Sequence, residues 1–453
     1  MTMTAKRIVS SGITKRLFAL SFPLLLLAGM QAQESAFSAQ SSINWKTEEL
    51  KSTIVLDTVK GGIVMPTGRN TALQMLEMET PALLKDAYFS VLVDSTTRVG
   101  DSIERNEITL SDLNRILDAG KTIPPAFAQD MKSISISHTV SLSRLGSLYI
   151  RHRAAHEGRR PLESVPTREY TGILVDARGS LAAHGEYSTA RLEPCLFPKL
   201  WSAEMDLLYE KNIVTPSIAL ERGIVTYSSS TDEAEYRSLI GNEPLRVIAR
   251  EVFGKNRTDP VIPVKEYLKI MSLEANRKLL TEGRVVILCD EDMLANRNQG
   301  PIRDADYYFV RGEISAKLAK KPVRDVELTD SWEGLKITLY DIRFEADTAR
   351  VLAEERGRLD SIAEALKAAG PKARFVIAGH TASVGKPGGE LELSIARARV
   401  ITSELASRGI PADHMVFSGY GGTRPVAQND SNEGRARNRR VEITITSAND
   451  MLR

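Results

Sequence analysis

The chain has 453 residues, more than one hydrophobic core usually holds, so the sequence predicts two to four domains. Its 60 basic and 58 acidic residues leave a formal charge of only +2, a balance that argues against a general nucleic-acid binder. With two cysteines, a disulfide scaffold and a multi-cysteine zinc site are excluded. We therefore expect a globular protein with no metal, no cofactor and no nucleic-acid partner.

The first 32 residues predict an export signal. Four basic residues precede the apolar stretch 17–30, which is shorter than the roughly 20 residues of a membrane-spanning helix. Small residues follow, and cleavage is predicted near Ala32. An uncleaved anchor is the alternative. We therefore predict a periplasmic protein without a stable membrane span, associated with the outer membrane or the cell wall.

Residues 43–152 predict an N-terminal domain of mixed α/β structure. From 133 to 143, branched apolar residues alternate with Ser and Thr, which indicates a half-buried strand. The segment 151–168 is rich in arginine and proline and is typical of a linker.

Residues 168–292 predict a central α/β module. A strand ends in Asp176-Ala177-Arg178-Gly179, and the motifs Gly241-Asn242-Glu243-Pro244-Leu245 and Thr258-Asp259-Pro260-Val261-Ile262 follow it. This order resembles a module of small outer-membrane lipoproteins and FlgT-type flagellar assembly proteins. The resemblance implies an interaction domain, whereas an ion pair at the strand end would also explain Asp176 and Arg178.

The two cysteines of the chain, Cys195 and Cys289, belong to this central module. In an oxidising compartment they could form a bridge that closes a long loop. They could equally be two buried thiols, and the sequence leaves both possibilities open.

The last block, 333–447, predicts a small domain after a linker at 293–332. Strands are expected at 334–344, 375–378, 415–417 and 441–445, and helices at 351–366 and from near Ser394 to Gly409. The order βαβαββ would pack two helices on one face of a small sheet. The predicted fold class of the whole chain is therefore α+β, multi-domain.

Short motifs run through this block in a fixed order. They are Gly379-His380-Thr381, Leu393-Ser394, Arg397-Ala398, Gly419-Tyr420-Gly421 and Asn438-Arg439-Arg440. This pattern resembles the OmpA-like C-terminal, peptidoglycan-binding domain. The resemblance implies that the ligand is the stem peptide of the cell wall, usually through diaminopimelate.

The resemblance also implies a set of binding residues. Diaminopimelate carries an ammonium and a carboxylate on one carbon, a pair best held between a carboxylate and a guanidinium. The family's guanidinium corresponds to Arg397, and Arg439 is a second cation at the pocket. The predicted helix start places Arg397 in a first turn, where free N–H groups also favour an anion. The other predicted ligand-binding residues from these motifs are Thr381, Leu393, Ser394 and Asn438.

The sequence departs from the family where the ammonium would bind. The family's aspartate directly after His-Thr is Ala382 here, so half of the clamp is missing. A hydrogen bond to a charged group contributes roughly 1.5–3 kcal/mol, so its loss lowers affinity about ten- to a hundred-fold. Glu390 also replaces the family's asparagine, and Glu390 and Asp347 are the candidates that could meet an amine.

Three interpretations remain open for this domain. It could bind a wall whose stem peptide contains ornithine or lysine, which keep an amine but lack the second zwitterion. It could bind wall weakly through Arg397 and Arg439 alone. It could instead have lost wall binding and dock an envelope protein, with flagellar or envelope assembly as one setting.

The sequence as a whole favours a non-enzymatic envelope protein with no catalytic residues. One end would contact peptidoglycan, and the two front domains would act as an interaction scaffold. The competing hypothesis is a wall-metabolism enzyme anchored by this domain. Residues 1–330 contain no His-Glu-x-x-His, no Gly-x-Ser-x-Gly and no phosphate-binding loop.

Overall fold

The computed structural model describes residues 36–186, 188–297, 303–320, 323–331, 334–345 and 350–446. The predicted export signal and Asp347 lie outside these residues. The described residues combine helices with four sheets, and the predicted α+β, multi-domain class is confirmed.

The N-terminal region is an antiparallel sheet with helices packed against it. The alternation at 133–143 is observed as a strand that buries Ile134, Ile136, His138 and Val140. The strand order is β15-β1-β2-β4-β3, with β15 (Ala295–Arg297) joining from the C-terminal end of the central module. The elements are β1 (Phe37–Asn44), β2 (Glu49–Asp57), α1 (Arg69–Phe89), α2 (Val99–Glu104), α3 (Leu110–Asp118), β3 (Lys121–Phe127), β4 (Ser133–Ser141) and α4 (Leu142–Gly146).

The central module holds two sheets. One is a four-stranded parallel sheet of order β10-β14-β5-β11, and the other is a mixed six-stranded sheet of order β7-β6-β12-β13-β8-β9. The elements are β5 (Ile173–Asp176), β6 (Leu181–Ala183), β7 (Thr189–Ala190), β8 (Leu200–Ser202), β9 (Leu207–Tyr209), α5 (Pro216–Arg222), β10 (Thr226–Ser228), α6 (Arg237–Ile240), β11 (Leu245–Ile248), β12 (Glu251–Phe253), β13 (Asp259–Ile262), α7 (Val264–Met271), α8 (Glu274–Thr281), β14 (Val285–Leu288), α9 (Glu291–Leu294) and β15 (Ala295–Arg297).

The strand-end motif and the cysteines of this module have plain structural roles. Asp176 and Arg178 form an ion pair at the end of β5. Cys195 and Cys289 are both free, buried thiols, and burial raises the pKa of each. Of the two possibilities that the sequence left open, the structure therefore has the pair of thiols.

The segment 293–332, predicted as a linker, contains two elements that belong to the C-terminal core. Helix α10 (Ala305–Lys320) buries Ile314 completely in that core. Strand β16 (Val326–Ser331) pairs with the next strand as the edge of the C-terminal sheet. The charged sequence hid both elements because each buries only a few of its apolar side chains.

The C-terminal sheet has the order β16-β17-β20-β18-β19, in which β18 and β19 are parallel and the other neighbours antiparallel. The two long helices, α11 and α12, pack against it around a core that includes Ile337, Ile362 and Ile401. The elements are β17 (Gly334–Tyr340), α11 (Arg356–Leu366), β18 (Arg374–Gly379), α12 (Pro387–Ser407), β19 (Met415–Gly419), α13 (Asn432–Asn438) and β20 (Arg440–Thr446).

Helix α12 begins earlier than the sequence predicts. It starts at Pro387, a residue suited to a first helical position, and not near Ser394. The prediction that Arg397 lies in a first turn is therefore wrong, because Arg397 lies ten residues inside the helix. The pair Gly388-Gly389 misled the prediction because glycine disfavours helix interiors but is tolerated in a first turn.

A buried charge cluster joins the C-terminal domain to the two regions before it. Asp330 on β16 accepts from Arg303 Nη2 at 3.0 Å and from Lys255 Nζ of the central module at 2.8 Å. Arg311 on α10 contacts Asp101 on α2 at 2.9 Å. One carboxylate therefore bridges cations from two parts of the chain.

Candidate functional site

The candidate site lies at the carboxyl end of β18, where the sheet and α12 approach closely. A Cβ at Gly379 would lie 2.2 Å from the carbonyl oxygen of Ser394, and one at Gly419 would lie 2.4 Å from Ser394 Oγ. Only glycine fits both positions. This contact fixes the loops after β18 and β19 against the helix that carries Arg397.

Ser394 and Asn438, both predicted as ligand-binding residues, are buried and fully engaged in these loops. Ser394 Oγ donates to the carbonyl of Leu391 at 2.7 Å and accepts the N–H of Gly421 at 2.9 Å. Asn438 Oδ1 accepts the N–H of Val426 at 2.7 Å, and its Nδ2 donates to the carbonyl of Ala427 at 2.7 Å. These contacts give both side chains a positioning role.

Glu390, the candidate partner for an amine, holds the loop before it. Its Oε1 accepts the N–H of Val384 at 2.6 Å and of Lys386 at 3.1 Å. Backbone N–H groups of the loop lower the pKa of Glu390, because they stabilise the carboxylate. The acid is therefore occupied by its own loop.

Arg397 is half-buried on α12 and faces an aromatic ring. Its guanidinium carbon lies 4.7 Å from the centre of the Phe344 ring. Its Nε is buried without a hydrogen-bond partner, and no acidic side chain of the described residues pairs with it. Burial and, secondarily, the charge of Arg439 lower the pKa of Arg397. The site thus holds a guanidinium whose charge is not neutralised in the described part of the chain.

Arg439 lies close enough to influence Arg397 but has a partner of its own. Its Nη2 contacts Asp341 Oδ1 at 3.2 Å, with both side chains about two-fifths exposed. An exposed pair of this kind is weak, so an incoming anion could compete for Arg439.

The remaining positions of the pocket are buried and short of hydrogen bonds. Ala382 is 7% exposed, and Thr381 Oγ1 next to it has no partner among the described residues. His380 stacks on Tyr420 with ring centres 5.3 Å apart, and burial lowers the pKa of His380 to about 3. Leu393 is half-buried. Thr381, Ala382 and the neutral His380 therefore supply no charge of their own to the site.

Sequence reasoning missed Phe344 and Asp341, which contact the two predicted arginines. Phe344 continued the alternation of the first strand and was assigned to it. In the structure the strand ends at Tyr340 and Phe344 makes an isolated bridge with Val351. The sequence signal that could have identified Phe344 is an aromatic residue just past the end of a strand, in a domain that carries the family motifs.

Comparison with known proteins assigns this domain to a class. The OmpA family matches residues 343–439, and this part of the chain is an OmpA family domain. Residues 36–148 match the N-terminal domain of Treponema pallidum Tp0624, and residues 172–291 match the second domain of that protein.

Individual relatives match over the same C-terminal part. Peptidoglycan-binding protein ArfA of Mycobacterium tuberculosis is 39% identical over 109 residues, which are 24% of this chain and 33% of ArfA. Outer membrane protein A of Bordetella avium is 35% identical over 108 residues, 24% of this chain and 55% of that protein. The chain thus spans about a third of the length of ArfA.

Among solved structures, the cell wall anchor of the T6SS from Pseudomonas aeruginosa is 33% identical to this chain. The match covers 30% of this chain and 99% of the anchor's chain, with a TM-score of 0.27. No helix within the described ranges is long and apolar enough to cross a membrane.

Proposed function

We propose that this chain is a non-enzymatic cell-envelope protein whose OmpA family domain contacts peptidoglycan through an altered pocket. In this proposal Arg397 binds a carboxylate of the stem peptide, and Arg439 assists it at the rim. The printed names of relatives such as ArfA support wall binding, and none of the relatives compared above is named as an enzyme.

The observation that carries the proposal is the state of Arg397. A half-buried guanidinium with a desolvated Nε and no acidic partner in the described residues is costly unless a ligand compensates it. The ring of Phe344 supplies part of that compensation, because an aromatic face attracts a cation. A peptide carboxylate would supply the rest through a charge-assisted hydrogen bond.

The same geometry defines how the pocket is altered. Ala382 supplies no charge for an ammonium, and the carboxylate of Glu390 is occupied by the loop. Recognition therefore depends on a carboxylate of the ligand. The zwitterionic carbon of diaminopimelate offers one, whereas a stem peptide with ornithine or lysine offers one only at its other residues or at its C-terminus. Of the two acids considered for an amine, Asp347 stays a prediction.

A second candidate function is protein docking by the same domain. Val384, Leu391 and Val426 are 67%, 43% and 53% exposed on the loops and the helix end around the pocket. Apolar side chains at a rim favour a protein surface over a glycan. In this alternative Arg397 would pair with an acidic residue of an envelope protein.

Export to the periplasm and a scaffold role for the two front regions belong to the same proposal. The matches of both regions to domains of one protein that carries them in the same order support a conserved assembly of modules. Co-sedimentation with purified peptidoglycan, wild type against Arg397→Ala, tests the proposal. Loss of pelleting supports it, and equal pelleting removes Arg397 as a ligand contact.

A further inference from the structure

The N-terminal region and the central module meet along a loop and an extended segment. The loop is residues 91–98 between α1 and α2, and we call it the docking loop. The N–H groups of Leu196 and Phe197 in the central module donate to the carbonyls of Leu92 at 3.0 Å and Val93 at 2.9 Å. Because these backbone hydrogen bonds join two parts of the chain, a change in the segment that carries Leu196 also affects the docking loop.

Glu193 lies three residues before this contact and is a buried acid without a partner. Its side chain belongs to a residue that is 9% exposed, and its N–H donates to the carbonyl of Arg257 at 2.8 Å, which fixes the backbone. Its carboxylate makes no hydrogen bond or ion pair within the described part of the chain. A buried carboxylate in this state is costly when it is ionised and much less so when it holds a proton.

The cations near Glu193 are committed to other groups. The ionisable groups that act on it are Arg98 of the docking loop, Arg191 of its own segment, Asp292 of α9 and the Cys289 thiol after β14. Arg191 donates from Nη1 to Asp292 at 2.9 Å and from Nε to Asp290 at 2.8 Å. Arg98 donates from Nη1 to the carbonyl of Ser90 at 2.8 Å.

The balance of these effects favours the protonated acid. Burial is the largest cause and raises the pKa of Glu193 to about 7. The charges of Arg98 and Arg191 act in the opposite direction with a smaller effect, and the carboxylate of Asp292 adds to the rise. The interface therefore holds an acid that titrates near neutral pH.

We propose that the contact between the docking loop and the central module is a pH-sensitive switch, closed while Glu193 holds its proton and opened more often once Glu193 is ionised. When the proton leaves to solvent, a negative charge remains in the interface, and water reaches it fully only if the docking loop moves away. The switch goes beyond the wall-binding function proposed above and does not depend on it.

The sign of the effect follows from the two states of the acid. In the closed contact Glu193 keeps its proton up to a pKa of about 7, whereas a solvated glutamate loses it near pH 4.3. The closed contact therefore gains stability as the pH falls below 7. Between pH 8 and pH 5.5, opening should become about tenfold to thirtyfold less frequent.

Hydrogen exchange of the full chain, read by mass spectrometry at pH 5.5, 6.5 and 8 and normalised to the intrinsic exchange rate at each pH, tests the switch. In wild type, protection of the docking loop should rise about tenfold to thirtyfold from pH 8 to pH 5.5. Glu193→Gln mimics the protonated acid and should show high protection at all three pH values. Glu204→Gln, the same change at an exposed residue of the central module, should behave as wild type.

Glu193→Met, an uncharged side chain of similar length, should also keep protection high at every pH and covers the case that Glu193→Gln misfolds. Wild-type protection that is equal at pH 8 and pH 5.5 would overturn the proposal whatever the variants do. A folded Glu193→Gln or Glu193→Met that keeps the pH dependence of wild type would also overturn it, because another group would then control the contact.

Discussion

The guanidinium of Arg397 lies 4.7 Å from the centre of the Phe344 ring, and no acid of the described residues shares this contact. Two elements far apart in sequence, the loop after β17 and the middle of α12, thus create one half-buried positive charge. Because an aromatic face stabilises a cation without neutralising it, the charge remains available to an anion. The proposed wall contact depends on this relationship.

Removing the ring should weaken peptidoglycan binding without unfolding the domain. Phe344→Ala takes away a cation–π contact of about 0.5–2 kcal/mol, so the affinity for wall fragments should fall about two-fold to thirty-fold. The matched control is Phe417→Ala, because Phe417 lies under Arg399 at 5.4 Å on the exposed strand β19. Titration with soluble wall fragments measures both variants, and equal losses would show that the Phe344 contact has no special role.

Restoring the family's aspartate should rebuild the second half of the clamp. Ala382→Asp is expected to strengthen binding of diaminopimelate-containing fragments at least tenfold, because a charged hydrogen bond contributes roughly 1.5–3 kcal/mol. Ser383→Asp places the same acid one position further along, at an exposed residue, and should bring no gain. No gain from Ala382→Asp in the same titration would mean that the loop has been reshaped.

The free energy of unfolding of the C-terminal domain should fall with decreasing pH. His380 stays neutral in the fold down to a pKa of about 3, whereas an unfolded histidine takes up a proton near pH 6.5, so stability declines below pH 6.5. Lys336 and Arg440 hold the pKa of Glu442 at about 2, so its contribution is present above about pH 4.3 and lost below it.

Urea unfolding at pH 7, 5.5 and 4 measures this decline. His380→Phe, which can still stack on Tyr420, should remove the decline between pH 6.5 and 4.5 and leave the steeper loss below it. A wild-type profile that is flat from pH 7 to 4 would contradict the assigned state of His380.

Asp330, the carboxylate that pairs with Arg303 and with Lys255 of the central module, should contribute to the stability of the whole chain. Asp330→Asn removes the buried carboxylate that pairs with Arg303, which is 1% exposed, and breaking such a pair costs about 3–5 kcal/mol. Asp325→Asn, a change of the same kind at an exposed residue just before strand β16, is the control. Thermal unfolding followed by circular dichroism should show an early transition in Asp330→Asn alone, and superimposable curves would exclude a stabilising role for the cluster.

Local patterns predicted the C-terminal domain well, because apolar periodicity and an ordered series of motifs reflect the same packing. Strands β17, β18 and β20 were expected from alternation or apolar runs, and Gly379 and Gly419 sit where only glycine fits. Strand β16 was missed because an edge strand is half solvated and its alternation is weak.

The site was harder to predict because side-chain partners depend on tertiary contacts. The sequence identified Arg397 but could not show that Phe344 covers it or that Asp341 pairs with Arg439. Glu390 looked available in the sequence, since nothing local reveals that two backbone N–H groups of its own loop point at it.

The most direct test is co-sedimentation of the full chain with purified peptidoglycan sacculi for wild type, Arg397→Ala and Arg399→Ala. Arg399 lies two residues further along α12 on the exposed side and serves as the matched control for loss of one positive charge. We predict that wild type and Arg399→Ala pellet with the wall, and that Arg397→Ala stays in the supernatant while its thermal unfolding is unchanged. Equal pelleting of all three proteins would contradict the claim that Arg397 receives a carboxylate of the wall.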